Sequence, residues 1–224
     1  MISNEGNSPE SIPDDDRTDY QASFRKRVFQ LLKWGYDRLD TLSFKNSEEE
    51  DITGELVKEI KELLQDRSSP KWMGRFTIHE EPRVNTPDLK GKRRKRLDIE
   101  LERVSIGPRP RYPFEAKRLC ENSHATMKRY LGSEGLGEFL VGNYAADVDE
   151  AGMLGYVQSN TPSEWSTKAN NIFITHPGLV KTCPDGKWAK VNNFTYPDHC
   201  FRTKHHRISV ERPIVIYHLF LAFC

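Results

Sequence analysis

Apolar side chains recur every three or four positions through residues 20–42, where Phe24, Val28, Leu31, Leu32, Gly35 and Leu39 share one stripe, and this period predicts an amphipathic helix. Such a stripe has to be covered, either by the chain's own core or by a second copy in a homodimer. Ser47 with Glu50 three residues on has the form of a capping box. Behind it, Leu56, Ile60, Leu63 and Leu64 mark one face of a second helix that ends near Ser68-Ser69-Pro70. Beyond Pro70 the period changes to alternation, over residues 72–79, 96–104 and 112–119, the signature of strands with one buried face. Gly107-Pro108-Arg109-Pro110 breaks the pattern between the second and third of these. Proline lacks the amide donor a ladder needs, so this stretch is expected to be a hairpin turn joining antiparallel neighbours. Further on, residues 123–131, 135–147 and 162–170 read as helical, 152–158, 171–176 and 207–223 as strands, and 183–206 as loop-rich. The expected class is α/β or α+β, a mixed sheet flanked by helices.

Composition changes this picture mainly at the start of the chain. Residues 1–19 combine Asn, Ser, Pro and Gly with Asp14, Asp15 and Asp16, too little apolar surface to offset ordering entropy, and are expected as a disordered acidic tail. One domain is expected over residues 20–224, with 20–45 a helical extension and 47–224 the core. A formal net charge of +1 neither demands nor excludes a polyanionic partner, but the charge is segregated: Lys90, Lys92, Arg93, Arg94, Lys95 and Arg96 make one basic run. Cys120, Cys183, Cys200 and Cys224 are too dispersed for a zinc ribbon or a disulfide scaffold, which favours reduced thiols and a cytoplasmic setting. The N-terminus lacks the basic and apolar regions of a signal peptide. The longest apolar stretch, residues 214–224, is about half a bilayer span and carries His218, so it reads as a buried strand and no membrane partner is expected.

Two short segments carry the chemistry: Arg96-Leu97-Asp98-Ile99-Glu100-Leu101-Glu102 and, after the turn, Tyr112-Pro113-Phe114-Glu115-Ala116-Lys117. A hairpin symmetric about Ile106 and Gly107 sets Asp98 opposite Glu115, Glu100 opposite Pro113, Leu97 opposite Ala116 and Ile99 opposite Phe114. One face is then acidic and the other apolar. Facing Cβ atoms in such a pair lie roughly 5 Å apart, and two carboxylates that close repel unless a cation lies between them. A hard divalent ion that takes oxygen ligands, Mg²⁺ or Mn²⁺, meets that need. Lys117 falls on the same face as Glu115, about 7 Å along the strand, where its amine can reach water or a phosphate. A metal, paired carboxylates and an amine are what phosphodiester hydrolysis requires. The competing reading is a solvated sheet face, on which alternating charges are ordinary. Against it, a plain surface hairpin would more often oppose unlike charges.

An aspartate at the end of one strand, a hairpin, and apolar-Glu-x-Lys on the next strand, behind a helix rich in glutamate, resembles the core of the PD-(D/E)XK nuclease superfamily. The resemblance covers residues 51–119 and departs from the family name at Leu97, which stands where the name has proline. It implies a restriction-endonuclease-like fold and a metal-dependent endonuclease acting on nucleic acid, foremost DNA, with water as nucleophile and a 5′-phosphate product. It implies Asp98 and Glu115 as metal ligands, Ala116 as a third through its main-chain oxygen, and Lys117 as the catalytic cation. Many members add a glutamate from the preceding helix. Glu55 is the positional match here, with Glu59 the alternative. Restriction, anti-phage defence beside a partner protein, and repair all suit such an enzyme.

The basic run leads into the Asp98 strand, so Lys92, Arg93, Arg94, Lys95 and Arg96, with Arg109 and Arg111 at the hairpin, are the expected phosphate-backbone contacts. Arg118, Lys128 and Arg129 extend that footprint. Two rival classes stand beside the nuclease. One is a non-catalytic nucleic-acid-binding or adaptor subunit; the other is a zinc-stabilised module around Cys183, His199, Cys200, His205 and His206, whose spacing fits no compact knuckle. Nucleotide triphosphate hydrolysis is not indicated, because Gly132, Gly135 and Gly137 lack the Lys-Ser/Thr ending of a phosphate loop.

Overall fold

The computed structural model describes residues 14–84, 91–104, 109–120, 123–178, 180–192 and 197–224. Its seven strands, β1 (Phe76–Glu80), β2 (Ile99–Arg103), β3 (Arg111–Leu119), β4 (Glu150–Val157), β5 (Ala189–Lys190), β6 (Cys200–His205) and β7 (Ile214–Ala222), form one mixed sheet in the order β1-β2-β3-β4-β7-β6-β5. The three central strands, β3, β4 and β7, are mutually parallel, and the outer pairs on both sides are antiparallel. Parallel neighbours need a crossover. Between β3 and β4 it carries α3 (Ser123–Leu131) and α4 (Leu136–Leu140), and between β4 and β7 it begins with α5 (Pro162–Thr175).

These three helices cover one face, where Tyr130, Phe139, Trp165 and Phe173 pack with Met153, Val157 and Phe220. The other face is covered by α1 (Asp14–Tyr36) and α2 (Glu49–Gln65), through Phe29, Leu32, Leu56 and Ile60 against Ile99, Phe114, Leu154 and Leu219. A strand covered on both faces has no polar side to keep, which is why β7 is a nearly unbroken apolar run. Two glycines set the layer spacing. A Cβ on Gly35 would lie 2.4 Å from Ile60, and one on Gly152 would lie 2.1 Å from the Phe114 ring, so α1 closes on α2 and Phe114 lies across β4 only because those positions have no side chain. No described helix is long and apolar enough to cross a membrane.

The hairpin register is as expected where it is described: Ile99 faces Phe114 and Glu100 faces Pro113. The turn residues 105–108, including Ile106 and Gly107, lie outside the described residues, as do residues 1–13. Other expectations are corrected. Within the described residues the helix already runs from Asp14, inside the expected tail, because composition does not mark a helix boundary. Its stripe of Phe24, Val28, Leu31 and Leu32 is buried by the chain's own sheet, so α1 is a layer of the core rather than an extension with a face left for a second copy.

Ser47 and Glu50 form no capping box. Glu48 is the N-cap residue without a side-chain cap bond, and the Ser47 carbonyl accepts instead from Gln158 Nε2 at 2.8 Å. The box belongs to Thr161 and Glu164, which exchange bonds of 3.2 and 2.8 Å ahead of α5. That helix continues through residues expected as a strand: Phe173 is buried while its neighbour Ile174 is 67% exposed, the one-sided burial of a surface helix. Helix in residues 135–147 is confined to α4, since Gly142 turns the chain at φ +75°. The loop-rich stretch holds β5 and β6, and the last strand starts only after Pro213.

Candidate active site

The β2–β3 ladder runs as far as the Ile99–Phe114 pair, because at the next position Asp98 Oδ2 accepts the Ala116 N–H at 2.6 Å where a backbone carbonyl would otherwise sit. The main-chain oxygen of Asp98 accepts from Glu81 N at 3.0 Å. The carboxylate is therefore pinned against β3. Glu115, in the middle of β3, is 5% exposed and pairs with Met153 of β4. Its Oε1 accepts from Lys117 Nζ at 2.9 Å, whereas Oε2 is buried with no hydrogen-bond partner.

Lys117 Nζ is the centre of the cluster. It lies 2.9 Å from Glu115 Oε1, 2.9 Å from Glu49 Oε1, 2.6 Å from the Ala116 carbonyl and 4.0 Å from Asp98 Oδ2. Glu49 comes from the first turn of α2, and its second oxygen accepts from Arg118 N at 3.0 Å, so both oxygens are held.

Burial, and then the charge of Asp98, pushes the Glu115 carboxyl up to about 9. Burial also raises Asp98, to about 6, against the pull of Lys117 and of the Ala116 N–H. Burial disfavours the Lys117 ammonium, yet Glu115, Glu49 and Asp98 outweigh it and hold that pKa above its ordinary value. The Tyr144 phenol is raised by burial and by Glu115, Glu138 and Asp98; its hydroxyl donates to the Arg96 carbonyl at 2.6 Å and stays neutral. Two carboxyls that resist ionisation around one fixed ammonium mark a cluster short of positive charge.

The donor set fits a hard divalent cation. The Asp98 and Glu115 carboxylates and the Ala116 carbonyl are oxygen ligands of the kind Mg²⁺ and Mn²⁺ take, and Glu115 Oε2 is a buried acceptor with capacity to spare. As they stand, no three His, Cys, Asp or Glu side chains among the described residues are arranged to hold a metal. The ammonium of Lys117 is the group around which these oxygens gather.

Asp98, Glu115, Ala116 and Lys117 are thus brought together, and Glu55 is not. Glu55 pairs with Lys58 at 2.5 Å, and the alternative, Glu59, pairs with Arg38 at 2.6 Å. The helix carboxylate that reaches the cluster is Glu49. Six acidic residues lie on α2, and their spacing does not single it out; only the crossing of the helix's first turn over the end of β3 does.

The basic run is drawn alongside by a short pairing of the chain before and after it: Val84 N donates to Lys95 O at 2.8 Å and Leu97 N to Pro82 O at 3.2 Å. Lys92 and Arg93 are exposed in the 3₁₀ turn Gly91–Arg93, and Arg94 is half-buried. Lys95 pairs with Glu138 at 2.5 Å, Arg96 with Glu81, Arg109 with Glu102 at 3.1 Å, and Arg111 with Glu100 at 2.8 Å and with Asp147. Arg118 pairs with Glu48, and Arg129 with Glu134 at 3.2 Å. Lys90 lies outside the described residues.

The cysteine and histidine constellation has a different character. Cys200 is buried in the core beneath α1, where burial raises its thiol far above the ordinary value. His205 and His218 belong to a hydrogen-bonded chain that sequence reasoning missed: Val180 O to His205 Nδ1 at 2.6 Å, His205 Nε2 to Thr203 Oγ1 at 2.7 Å, Thr203 Oγ1 to His218 Nε2 at 2.9 Å, and His218 Nδ1 to the Tyr130 hydroxyl at 3.2 Å. Burial lowers His205 to about 4 and His218 well below its ordinary value, so both rings are neutral.

Comparison with known proteins found no matching family model, no similar curated protein and no similar solved structure.

Proposed function

We propose that this chain is a divalent-metal-dependent nuclease with a restriction-endonuclease-like core, acting on nucleic acid and foremost on DNA. The observation that carries the reading is the pair of half-buried Asp98 and buried Glu115, raised in pKa, one oxygen unsatisfied, and grouped with the Ala116 carbonyl around a lysine ammonium. A divalent cation held by Asp98, Glu115 and the Ala116 carbonyl would acidify water and offset the charge that develops on a phosphodiester.

The other roles fall to the chain's own groups. The Ala116 N–H orients Asp98, leaving that carboxylate in one direction. Lys117 stays protonated at neutral pH, its three N–H groups held by Glu115, Glu49 and the Ala116 carbonyl, so it acts as a fixed cation whose charge stabilises nearby phosphoryl oxygens, not as a general base. Glu49, fixed by the Arg118 amide, is a positioning residue that holds the ammonium from the far side. Lys92 and Arg93, exposed in the segment leading into β2, suit backbone phosphates.

The test is incubation of purified protein with plasmid, linear duplex, single-stranded DNA and RNA, in Mg²⁺ and in EDTA. Cleavage that requires Mg²⁺ and disappears in Asp98→Ala is the expected result. Binding of nucleic acid with no cleavage in any arm would replace the nuclease with a non-catalytic adaptor.

A further inference from the structure

A cleft of about 380 Å³ opens at the end of β2 remote from Asp98, between α1, the 3₁₀ turn Lys71–Arg75 and the start of β1. Arg27, Lys71, Arg75 and Arg103 line it, with Trp72 among them and no carboxylate. Several arginines elsewhere are neutralised instead, Arg25 by Glu150, Arg38 by Glu59, Arg111 by Asp147 and Arg118 by Glu48. Among the described residues, none of the four cleft cations has a carboxylate partner.

Two of the four are fixed by aromatic rings instead. The Arg27 guanidinium lies 4.4 Å from the Trp72 ring centroid, and that of Arg103 lies 5.3 Å from Tyr20. A ring face orients a guanidinium without neutralising it and leaves its edge N–H groups for an anion. Among the described residues one of those donors is spent on a neutral acceptor, Gln30 Oε1, at 3.0 Å from Arg27 Nη1. Four like charges drawn into one cleft repel, and a ligand bearing several negative charges relieves that repulsion.

We propose that this cleft is a second phosphate-binding site, which grips the backbone of a nucleic-acid strand away from the Asp98–Glu115 cluster. The identity of the ligand rests on the nuclease reading; the presence of an anion site rests on the cleft itself. Asp98 and Arg103 stand five positions apart, roughly 16 Å at about 3.3 Å per strand residue. At about 3.4 Å of rise per nucleotide, a strand touching both sites spans about five nucleotides.

The experiment is fluorescence anisotropy with labelled single-stranded and duplex oligonucleotides of graded length, in EDTA, across a salt series. The variant is Lys71→Glu/Arg75→Glu, since both side chains are exposed and neither packs on a ring. Lys71→Gln/Arg75→Gln is a milder control, and circular dichroism and thermal melting verify both folds. We expect affinity to fall about tenfold or more and the log–log salt slope on duplex to become shallower by about two. The gain in wild-type affinity on passing about five nucleotides should vanish. Unchanged affinity and slope in both folded variants, with wild type binding normally, would overturn the cleft and leave the nuclease reading intact. Wild-type protein that binds no oligonucleotide at low salt would overturn both.

Discussion

Two groups of buried polar side chains lie in the same sheet and are built on opposite terms. In the chain from Val180 through His205, Thr203 and His218 to Tyr130, every imidazole nitrogen has a partner, and burial keeps both rings uncharged. In the cluster of Asp98, Glu115, Lys117 and Glu49, the acids gather around a charged ammonium, a carboxyl oxygen is left over, and burial sets Asp98 and Glu115 against ionising. A satisfied neutral network specifies a core, whereas an incompletely satisfied charged one keeps capacity for a ligand. The contrast separates a structural element from a chemical one without reference to any relative.

The largest expected effect is on the charged side. Asp98→Ala should lower Mg²⁺-dependent cleavage by about 10³ or more, a barrier increase of about 4 kcal/mol, while the melting temperature changes little. Residual cleavage above one tenth would place the chemistry elsewhere. On the neutral side the effects should invert. Thr203→Val removes the hydroxyl shared by both histidines and should cost about 2–4 kcal/mol in denaturant unfolding, with cleavage per folded molecule unchanged.

Acid should act through the same network. A histidine titrates near 6.5 in the unfolded chain and His205 near 4 in the folded one, so below pH 6.5 the unfolded state takes up a proton that the folded state refuses. The His205 contribution should therefore be complete above about pH 6.5, fall by about 3 kcal/mol as pH drops to about 4, and level off there, with buried His218 adding a loss of the same sign. Urea unfolding of Glu115→Gln across that range measures it, since the native Glu115 carboxyl opposes it, and a flat profile in that variant would show that the rings are not buried neutral. The Glu115 carboxyl pulls the other way. It keeps its proton up to about 9 when folded and loses it near 4.5 when unfolded, so its contribution to stability declines as pH rises through that window.

The smallest effects test the helix contact. Glu49→Gln should reduce cleavage about 10- to 100-fold, as loss of a supporting partner does, and Glu55→Gln should leave it within about twofold of wild type. The reverse ranking would restore Glu55 to the site.

Much of this site was legible in the sequence because strand alternation and a symmetric hairpin leave little choice of register: once Ile99 faces Phe114, Asp98 must lie beside Glu115 and Ala116. Glu49 was not legible, since which carboxylate of an acidic helix reaches a sheet depends on the angle and depth at which the helix crosses it. The apparent cap at Ser47 also shifted the expected start of α2. The histidine network was hidden for a similar reason. Thr203 and His205 are two residues apart, but His218 joins them only through the β6–β7 register that sets Phe201 beside it. The residues expected as a strand near Ile172 and Phe173 misled because a short apolar run fits either period, and the cap at Thr161 decides between them.

Calorimetric titration of Mn²⁺ into the wild-type chain, Asp98→Asn and Glu115→Gln tests the carboxylate cluster most directly. A divalent-cation site there requires saturable binding to the wild type that is abolished in both variants, without loss of their folded spectra. Absence of wild-type binding, or binding that survives both substitutions, would contradict it.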